Sequence, residues 1–272
     1  MSVSVLVLTK NEQKDLPACL ESLLWCDDII VYDSFSTDET PLIAERFGAR
    51  VVKREFDNWS AHQNWGLRNL PFKHSWVFYI DADERMTPQL AASVKSATGA
   101  AGDCVAFRVQ RRDFFMDTWL KHVQNSRYYL RLFRPEKMRY ERLVNPVSVA
   151  DGPVGSVAGY LDHFPFSKGI GHWFERHNSY STLEALQIAQ NRRDRVAFSL
   201  RKAFTAADFQ ERRFHQKEIF YRIPFRPLVK FCISYFVKRG FLDGRAGFQY
   251  AILQAIYEYM IVLKVQESQG KS

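Results

Sequence analysis

The stretch WVFYIDADE, residues 76–84, decides the fold of this chain. Residues 76–80 are apolar or aromatic, as in a short strand buried on both faces. Three acids follow within four positions: Asp81, Asp83 and Glu84. Ligands bind beyond the carboxyl ends of strands in open α/β sheets, so these acids predict a binding site. An isolated Asp-x-Asp triplet is common, and acids there can also cap the helix that Thr87-Pro88 predicts.

The chain upstream alternates between strand-like and helix-like segments. Strands are predicted at residues 3–8, 29–32 and 50–53, in addition to 76–80. The helical segments are predicted at 16–24, from 36–38 to 47, at 60–70 and at 87–97. This alternation predicts an α/β fold with a mostly parallel, Rossmann-like sheet flanked by helices.

Two earlier strands also end in polar residues. Residues 9–12 read Thr-Lys-Asn-Glu after the first strand, and Asp33-Ser34 follows the second. Carboxylates at one sheet edge can accept hydrogen bonds from a nucleobase or ribose and can bind a hard cation. Mg²⁺ and Mn²⁺ prefer such oxygen ligands together with phosphate oxygens and water. Asp81 and Asp83 can face one ion if the chain turns between them.

The composition is that of a globular protein with a basic surface. The 272 residues are 46% hydrophobic and carry a net charge of +8, which favours anionic partners: nucleic acid, an acidic membrane or phosphorylated substrates. The four scattered cysteines and the absence of a signal-peptide pattern predict a reduced, cytoplasmic protein. No window reaches the roughly 20 apolar residues of a membrane-spanning helix.

The pattern becomes irregular after Gly102 and then helical and basic from about Trp173. We therefore expect a catalytic domain at 1–172 and a helical extension at 173–272. In the extension, Lys and Arg alternate with aromatic residues, which favours an amphipathic surface on an anionic membrane. A homodimer contact and a helical cap on the first domain are the alternatives.

Several motifs resemble those of family 2 glycosyltransferases. They are residues 9–12, 33–40, Asn64 with Gly66, and Asp81-Ala82-Asp83-Glu84. Further motifs resemble the lipopolysaccharide-core β-glucosyltransferase branch: residues 131–134 (RLFR), 177–181 (HNSYS) and 242–247 (LDGRAG). The resemblance covers nearly the whole chain and implies the GT-A fold.

The resemblance also implies roles for individual residues. The residues implied in nucleotide-sugar binding are Thr9, Asn11, Glu12, Asp33, Asn64 and Asp81. Asp81 and Asp83, with His163, would hold the divalent cation, Mn²⁺ or Mg²⁺. His163 could equally be a hydrogen-bonded structural histidine.

The catalytic base is left open by a departure from the branch pattern. Where members carry a His-Glu pair, residues 144–147 read Val-Asn-Pro-Val. An inverting transfer needs a base for the acceptor hydroxyl, and Glu141 and Asp151 are the nearest alternatives. Arg127 and Arg131, on one strand face by alternation, would neutralise a diphosphate or a phosphorylated acceptor, or form a solvated basic face.

The resemblance, with the residues that carry it, implies an inverting, metal-dependent hexosyltransferase. The donor would be a UDP-sugar, with glucose favoured, and the acceptor a glycan that is lipid-linked or part of a lipopolysaccharide core. The enzyme would lie at the inner face of the plasma membrane. An inactive nucleotide-binding scaffold, a basic nucleic-acid-binding protein and a nucleotidyltransferase are the alternatives; nucleic acid is not an expected partner, because that function leaves the acidic strand ends unexplained.

Overall fold

The computed structural model describes residues 3–124, 126–141, 147–207 and 209–270. The chain forms two compact units. One comprises Met1–Phe114 and Ser126–Ser167, and the other comprises Phe115–Asn125 and Lys168–Ser272. The domain boundary predicted between residues 172 and 173 stays a prediction, because compactness alone does not define an independently folding domain.

The first unit is built on a mixed sheet that is parallel in its N-terminal half. Its strands are β1 (Ser4–Thr9), β2 (Ile29–Asp33), β3 (Arg50–Lys53), β4 (Val77–Asp81), β5 (Glu84–Met86), β6 (Ala106–Phe115), β8 (Tyr128–Phe133) and β11 (Val154–His163). The short strand β7 (Thr118–Trp119) lies between β6 and β8 in the chain. The spatial order is β3-β2-β1-β4-β8-β6-β11-β5. Strands β9 (Met138–Glu141) and β10 (Val147–Ala150) form a separate antiparallel hairpin.

Helices connect the first strands and cover both faces of the sheet. They are α1 (Leu16–Glu21), α2 (Thr40–Arg46), α3 (Trp59–Asn69) and α4 (Pro88–Gly99). Alternate residues of β1 pack into different apolar clusters: Val5 and Val7 into one, Leu6 into the other. This burial on both faces explains the continuous apolar run in the sequence.

The predicted α/β class is confirmed. Helix α1 begins at the predicted residue, whereas α2 begins later than predicted. Pro17 stands in the first turn of α1, where its missing N–H costs nothing. Helix α2 begins only at Thr40, although residues 36–38 offered caps. The Ser36 hydroxyl accepts from the backbone N–H of Asn11 at 2.8 Å, whereas Asp38 accepts from the backbone N–H of Thr40, the first residue of the helix, at 3.0 Å.

The second unit is helical. It contains α5 (Gly169–Arg193), α6 (Lys202–Thr205), α7 (Phe209–Phe220), α8 (Arg226–Cys232) and α9 (Gly244–Gly270), with a π-helical turn at Ile233–Val237. Helix α5 thus begins four residues before the predicted position. Within the described part of the chain, no helix is both long and apolar enough to span a bilayer.

Candidate functional site

The polar strand ends predicted from the sequence do meet at one edge of the sheet. Strand β1 lies between β2 and β4 and runs parallel to both, with Thr9 beside Asp33 and Leu8 beside Asp81 in register. The connections from β1 to β2 and β3 run to one side, whereas β4 lies on the other. The carboxyl ends of β1 and β4 therefore flank a topological switch point, where open sheets bind ligands.

Hydrogen bonds join the ends of β1 and β2 into one preorganised edge. The Thr9 hydroxyl donates to Asp33 Oδ1 at 2.9 Å, and the backbone N–H of Ser36 donates to Asp33 Oδ2 at 2.8 Å. Asn11, with a positive φ of 55°, accepts from the backbone N–H of Thr37 at 2.8 Å. The backbone N–H of Glu12 donates to the Thr40 hydroxyl at 2.7 Å. Thr9, Asn11, Glu12 and Asp33 are therefore brought together.

Asn64 has different surroundings. Its side-chain amide exchanges two hydrogen bonds with the backbone of Tyr140, each of 2.8 Å, and so joins α3 to the β9–β10 hairpin. These bonds use one donor and one acceptor of the amide. The observed contacts of Asn64 thus fix the hairpin rather than the Thr9–Asp33 edge.

Asp81, at the end of β4, is oriented by neighbours on its own sheet. One carboxylate oxygen accepts from the Tyr79 hydroxyl, and the other accepts from Arg131 Nη2 at 2.8 Å. The backbone N–H of Asp81 donates to Glu84 Oε2 at 3.0 Å. Arg131 also contacts Glu84 Oε1 at 2.7 Å, so a single guanidinium holds both carboxylates.

Glu84 and Arg131 are shielded from solvent in this cluster, whereas the Asp81 side chain is 36% exposed. Glu84 is fully buried, and burial raises its pKa to about 7 although Arg131 opposes the shift. Burial alone would lower the pKa of Arg131, but Glu84 and Asp81 raise it well above its usual value. Arg111 completes the cluster, with Nη1 lying 3.6 Å from Glu84 Oε1. Arg131 therefore binds the protein's own carboxylates. Arg127, just before β8, is exposed.

His163 and Asp83 form the second part of the site. His163 Nε2 lies 3.3 Å from Asp83 Oδ2, and its Nδ1 lies 2.5 Å from Asp113 Oδ1. The strand register explains this arrangement, because β11 pairs His163 with Asp113 of β6 and with Glu84 of β5. Burial alone would lower the pKa of His163, yet its bonds with Asp113 and Asp83 raise it to about 9.

The donor set at Asp83 suits a divalent cation only in part. The Asp83 side chain is 25% exposed, and its carboxylate oxygen and the imidazole nitrogen are close enough to contact one ion, since octahedral ligands lie about 3 Å apart. Among the described residues, however, no group of three or more His, Cys, Asp or Glu side chains is arranged to hold a metal. Mg²⁺ and Mn²⁺ sites that take their remaining ligands from substrate phosphates and water have this composition.

The two predicted bases lie on the β9–β10 hairpin and just after it. Glu141 Oε1 accepts from Arg139 Nε at 2.8 Å, and Asp151 accepts from Arg139 Nη1. Both carboxylates are exposed. The Asn145-Pro146 position, where the branch pattern carries an acid, lies outside the described residues.

Sequence reasoning did not identify Asp113, Arg111 or Arg85 as part of this site. Arg85 lies 3.5 Å from the buried Asp15 and donates to the backbone carbonyls of Ala82 and Glu84. It thereby fixes the turn that carries Asp83. The sequence signal that could have pointed to Asp113 is an acid between arginines and aromatic residues, RRDFF at residues 111–115.

Comparison with known proteins points to one family. The model for glycosyl transferase family 2 matches residues 4–160. The chain is 27% identical to the lipopolysaccharide core biosynthesis glycosyltransferase LpsC of Rhizobium meliloti, over 98% of this chain and 93% of that protein. It is 22% identical to an uncharacterized glycosyltransferase of Rickettsia typhi, over 99% and 88%.

Solved structures show more distant likeness. Glucosyl-3-phosphoglycerate synthase from Mycobacterium tuberculosis, solved with Mn²⁺, UDP and glucosyl-3-phosphoglycerate, is 24% identical over 42% of this chain and 43% of that chain, with a TM-score of 0.34. Staphylococcus aureus TarS 1–349 is 14% identical over 93% and 90%, with a TM-score of 0.44.

Proposed function

Since the chain belongs to glycosyltransferase family 2, we propose that it transfers a hexose from a UDP-sugar, with inversion, to a lipopolysaccharide-core or other lipid-linked glycan. The observation that carries this proposal is the edge formed by Thr9, Asp33 and Asp81 at a topological switch point. The side chains at this edge are already held by hydrogen bonds within the protein, so they lose little conformational freedom when the donor binds. The LpsC relative, aligned along nearly its whole length, supports the acceptor class.

In the proposed reaction the acceptor hydroxyl attacks the anomeric carbon of the sugar. A new carbon–oxygen bond forms as the bond to the diphosphate oxygen breaks, the nucleoside diphosphate leaves with the electron pair, and the hydroxyl proton passes to a base. Thr9, Asn11, Glu12 and Asp33 would hold the nucleoside at the strand edge. Asp81, oriented by Tyr79 and Arg131, would lie beside the ribose.

The divalent cation would be held by Asp81, Asp83 and His163, and when bound it would neutralise charge on the departing diphosphate. Asp113 would orient His163 through its Nδ1 hydrogen bond, and Arg85 would keep the Asp83 turn in place. Glu141 and Asp151 remain the proposed bases. Arg127, exposed before β8, remains the proposed contact for an acceptor phosphate.

We further propose that the protein works at the inner face of the plasma membrane, where anionic lipids would attract its basic second unit. Exposed Phe, Leu and Val side chains on that unit support membrane association over a purely soluble role. The four cysteines are free thiols, the form expected in a reducing compartment.

The test is a transfer assay with purified enzyme, Mn²⁺ and a deacylated core oligosaccharide, run separately with UDP-glucose, UDP-galactose, UDP-N-acetylglucosamine and GDP-mannose. We expect transfer from UDP-glucose and a product of inverted anomeric configuration by NMR. Retained configuration would contradict the mechanism. Transfer from GDP-mannose alone would contradict the proposed donor.

A further inference from the structure

The second unit contains a cavity that the proposed sugar transfer does not use. It has a volume of about 630 Å³ and is lined by the turn between α7 and α8, the start of α8, and the last turns of α5 and α9. Three of its lining residues are arginines: Arg192, Arg222 and Arg226. The rest are mostly apolar or aromatic.

The charge of the lining favours an anion. Among the described residues that line the cavity, none is acidic. Two carboxylates near the cavity already have partners: Glu218 binds Arg222 Nη1 at 2.6 Å, and Glu184 binds Lys217 and the Tyr221 hydroxyl. Of the three cations, Arg222 is therefore already paired, whereas within the described chain Arg192 makes only a 3.4 Å bond to the Tyr221 carbonyl.

Arg226 is the feature that makes this a built site. It is only 3% exposed, yet its Nε and Nη2 atoms make no hydrogen bond to any part of the chain that the structure describes. Glu258, its nearest carboxylate, lies 3.5 Å from Nε, beyond good hydrogen-bonding distance. Arg226 also lines the cavity. Its ion pair with Glu258 leaves these buried guanidinium atoms without a good hydrogen bond within the described chain, which is costly, so an anion in the cavity would offset the charge of Arg226.

The apolar part of the cavity indicates what carries the anion. Phe225, in a left-handed conformation at the start of α8, is 82% exposed, and Leu228 and Tyr259 are largely exposed beside it. Phe236 and Val237, about two turns further along the same helical segment, are exposed as well. A small free anion would not contact such a surface, whereas acyl chains would.

We propose that this cavity binds the phosphate head group of an anionic membrane lipid, with Arg226 and Arg192 on the phosphate and Phe225, Leu228 and Tyr259 against its acyl chains. The inference rests on the proposed membrane association of the second unit. It adds a specific lipid site to that general attraction.

The test uses the full-length protein and vesicle co-sedimentation. One set of vesicles is phosphatidylcholine alone, and the other contains about one third phosphatidylglycerol. Arg226→Gln leaves Glu258 buried without a partner and could unfold the unit. The double variant Arg226→Gln/Glu258→Gln removes both charges together. Val262→Trp fills the cavity and changes no charge. Arg193→Gln, next to Arg192 but outside the lining, is the matched control.

We expect the wild type and Arg193→Gln to bind the anionic vesicles and to bind phosphatidylcholine far more weakly. The double variant and Val262→Trp should bind anionic vesicles at least tenfold more weakly, the effect of losing charge-assisted hydrogen bonds. Both should keep the sugar transfer to a soluble acceptor, which depends on the first unit.

Other outcomes separate the possible errors. If both cavity variants bind like the wild type, the lipid site is wrong although membrane association stands. If the wild type does not bind anionic vesicles, the proposed membrane association is wrong. The proposed sugar transfer is tested separately by the transfer assay. Saturable thermal stabilisation by inorganic phosphate, without vesicle binding, would identify a free-anion site instead. A dimer in sedimentation velocity that Val262→Trp dissociates would show that a second copy of the chain fills the cavity.

Discussion

Arg131 illustrates how a single buried residue can organise a binding edge. Its guanidinium contacts Asp81 at 2.8 Å and Glu84 at 2.7 Å, and it lies over the Tyr79 ring at 4.4 Å. Buried ion pairs of this kind contribute more to geometry than to net stability, because desolvation offsets the attraction. The alternation of side chains along a strand had predicted that Arg131 would face a diphosphate or a phosphorylated acceptor. The antiparallel pairing of β8 with β4, which a linear reading cannot show, brings it beneath Asp81 instead.

The catalytic base is a question at the same scale. We expect Glu141→Gln or Asp151→Asn, but not both, to lower kcat by about 10²–10⁴-fold, the range for loss of a general base. Both carboxylates are exposed and paired with Arg139, so both variants should fold normally. Steady-state kinetics with UDP-glucose measures the effect.

Arg139→Gln is the control, because it removes both ion pairs and neither carboxylate. It should retain most of the activity. Full activity in both carboxylate variants would show that the base is elsewhere in the chain.

Asp28 gives a prediction about acid stability. Its carboxylate accepts from the Ser4 hydroxyl, the Lys73 backbone N–H and Arg50 Nη2. Burial raises its pKa, but these hydrogen bonds outweigh burial and leave the pKa below the ordinary value. A lowered pKa in the folded state gives stability that is present above the unfolded-state value of about 4 and is lost as the pH falls through the folded-state value.

We therefore expect Asp28→Asn to lower the free energy of unfolding by about 1–3 kcal/mol at pH 7 and to lose less stability than the wild type between pH 5 and pH 3. Urea denaturation at several pH values measures both. Asp103→Asn, at an exposed position, is the control and should follow the wild type. An unchanged acid profile in Asp28→Asn would refute the assignment.

At the scale of elements, two motifs of the second unit have structural roles. In HNSYS, residues 177–181, the Asn178 side chain and carbonyl and the Ser181 hydroxyl accept from Lys264 Nζ at 2.6–2.8 Å, which joins α5 to α9. In LDGRAG, residues 242–247, the Asp243 carboxylate accepts from the backbone N–H groups of His122 and Val123. Both motifs therefore hold segments of the second unit together.

Gly247, in the LDGRAG motif, tests how closely this segment packs against Gly240. A Cβ atom at Gly247 would lie 2.0 Å from the Gly240 carbonyl oxygen, whereas one at Gly171, also helical, would meet nothing within 4 Å. We expect Gly247→Ala to destabilise the protein by about 1–3 kcal/mol through overpacking. Gly171→Ala should instead stabilise it by about 0.5–1 kcal/mol.

Thermal and urea unfolding of the two variants checks the difference. Equal stability of Gly247→Ala and Gly171→Ala would show that the contact between Gly247 and Gly240 is looser than described.

At the scale of the whole molecule, the sequence predicted what depends on local pattern. The first four strands and the polar residues at their ends were readable, because buried parallel strands give continuous apolar runs and their carboxyl ends share an edge. The contact between His163 and Asp113 could not be predicted, because the two residues are 50 positions apart and meet only through the register of β11 on β6. The lipid cavity depends likewise on helix packing, which periodicity does not specify.

The central claim is that the edge formed by Thr9, Asp33 and Asp81 binds the donor and that Asp83 recruits its cation. Thermal shift with UDP, in the presence and absence of Mn²⁺, tests it on the wild type, Asp83→Asn and the exposed control Asp103→Asn. Ligand at about 100 times its dissociation constant adds about 2.7 kcal/mol, or several degrees in Tm.

We predict that UDP stabilises the wild type and Asp103→Asn more with Mn²⁺ than without. Asp83→Asn should keep the Tm shift that UDP gives without Mn²⁺ and lose the additional shift that Mn²⁺ gives. A full metal-dependent shift in Asp83→Asn, or no UDP shift in the wild type, would contradict the account.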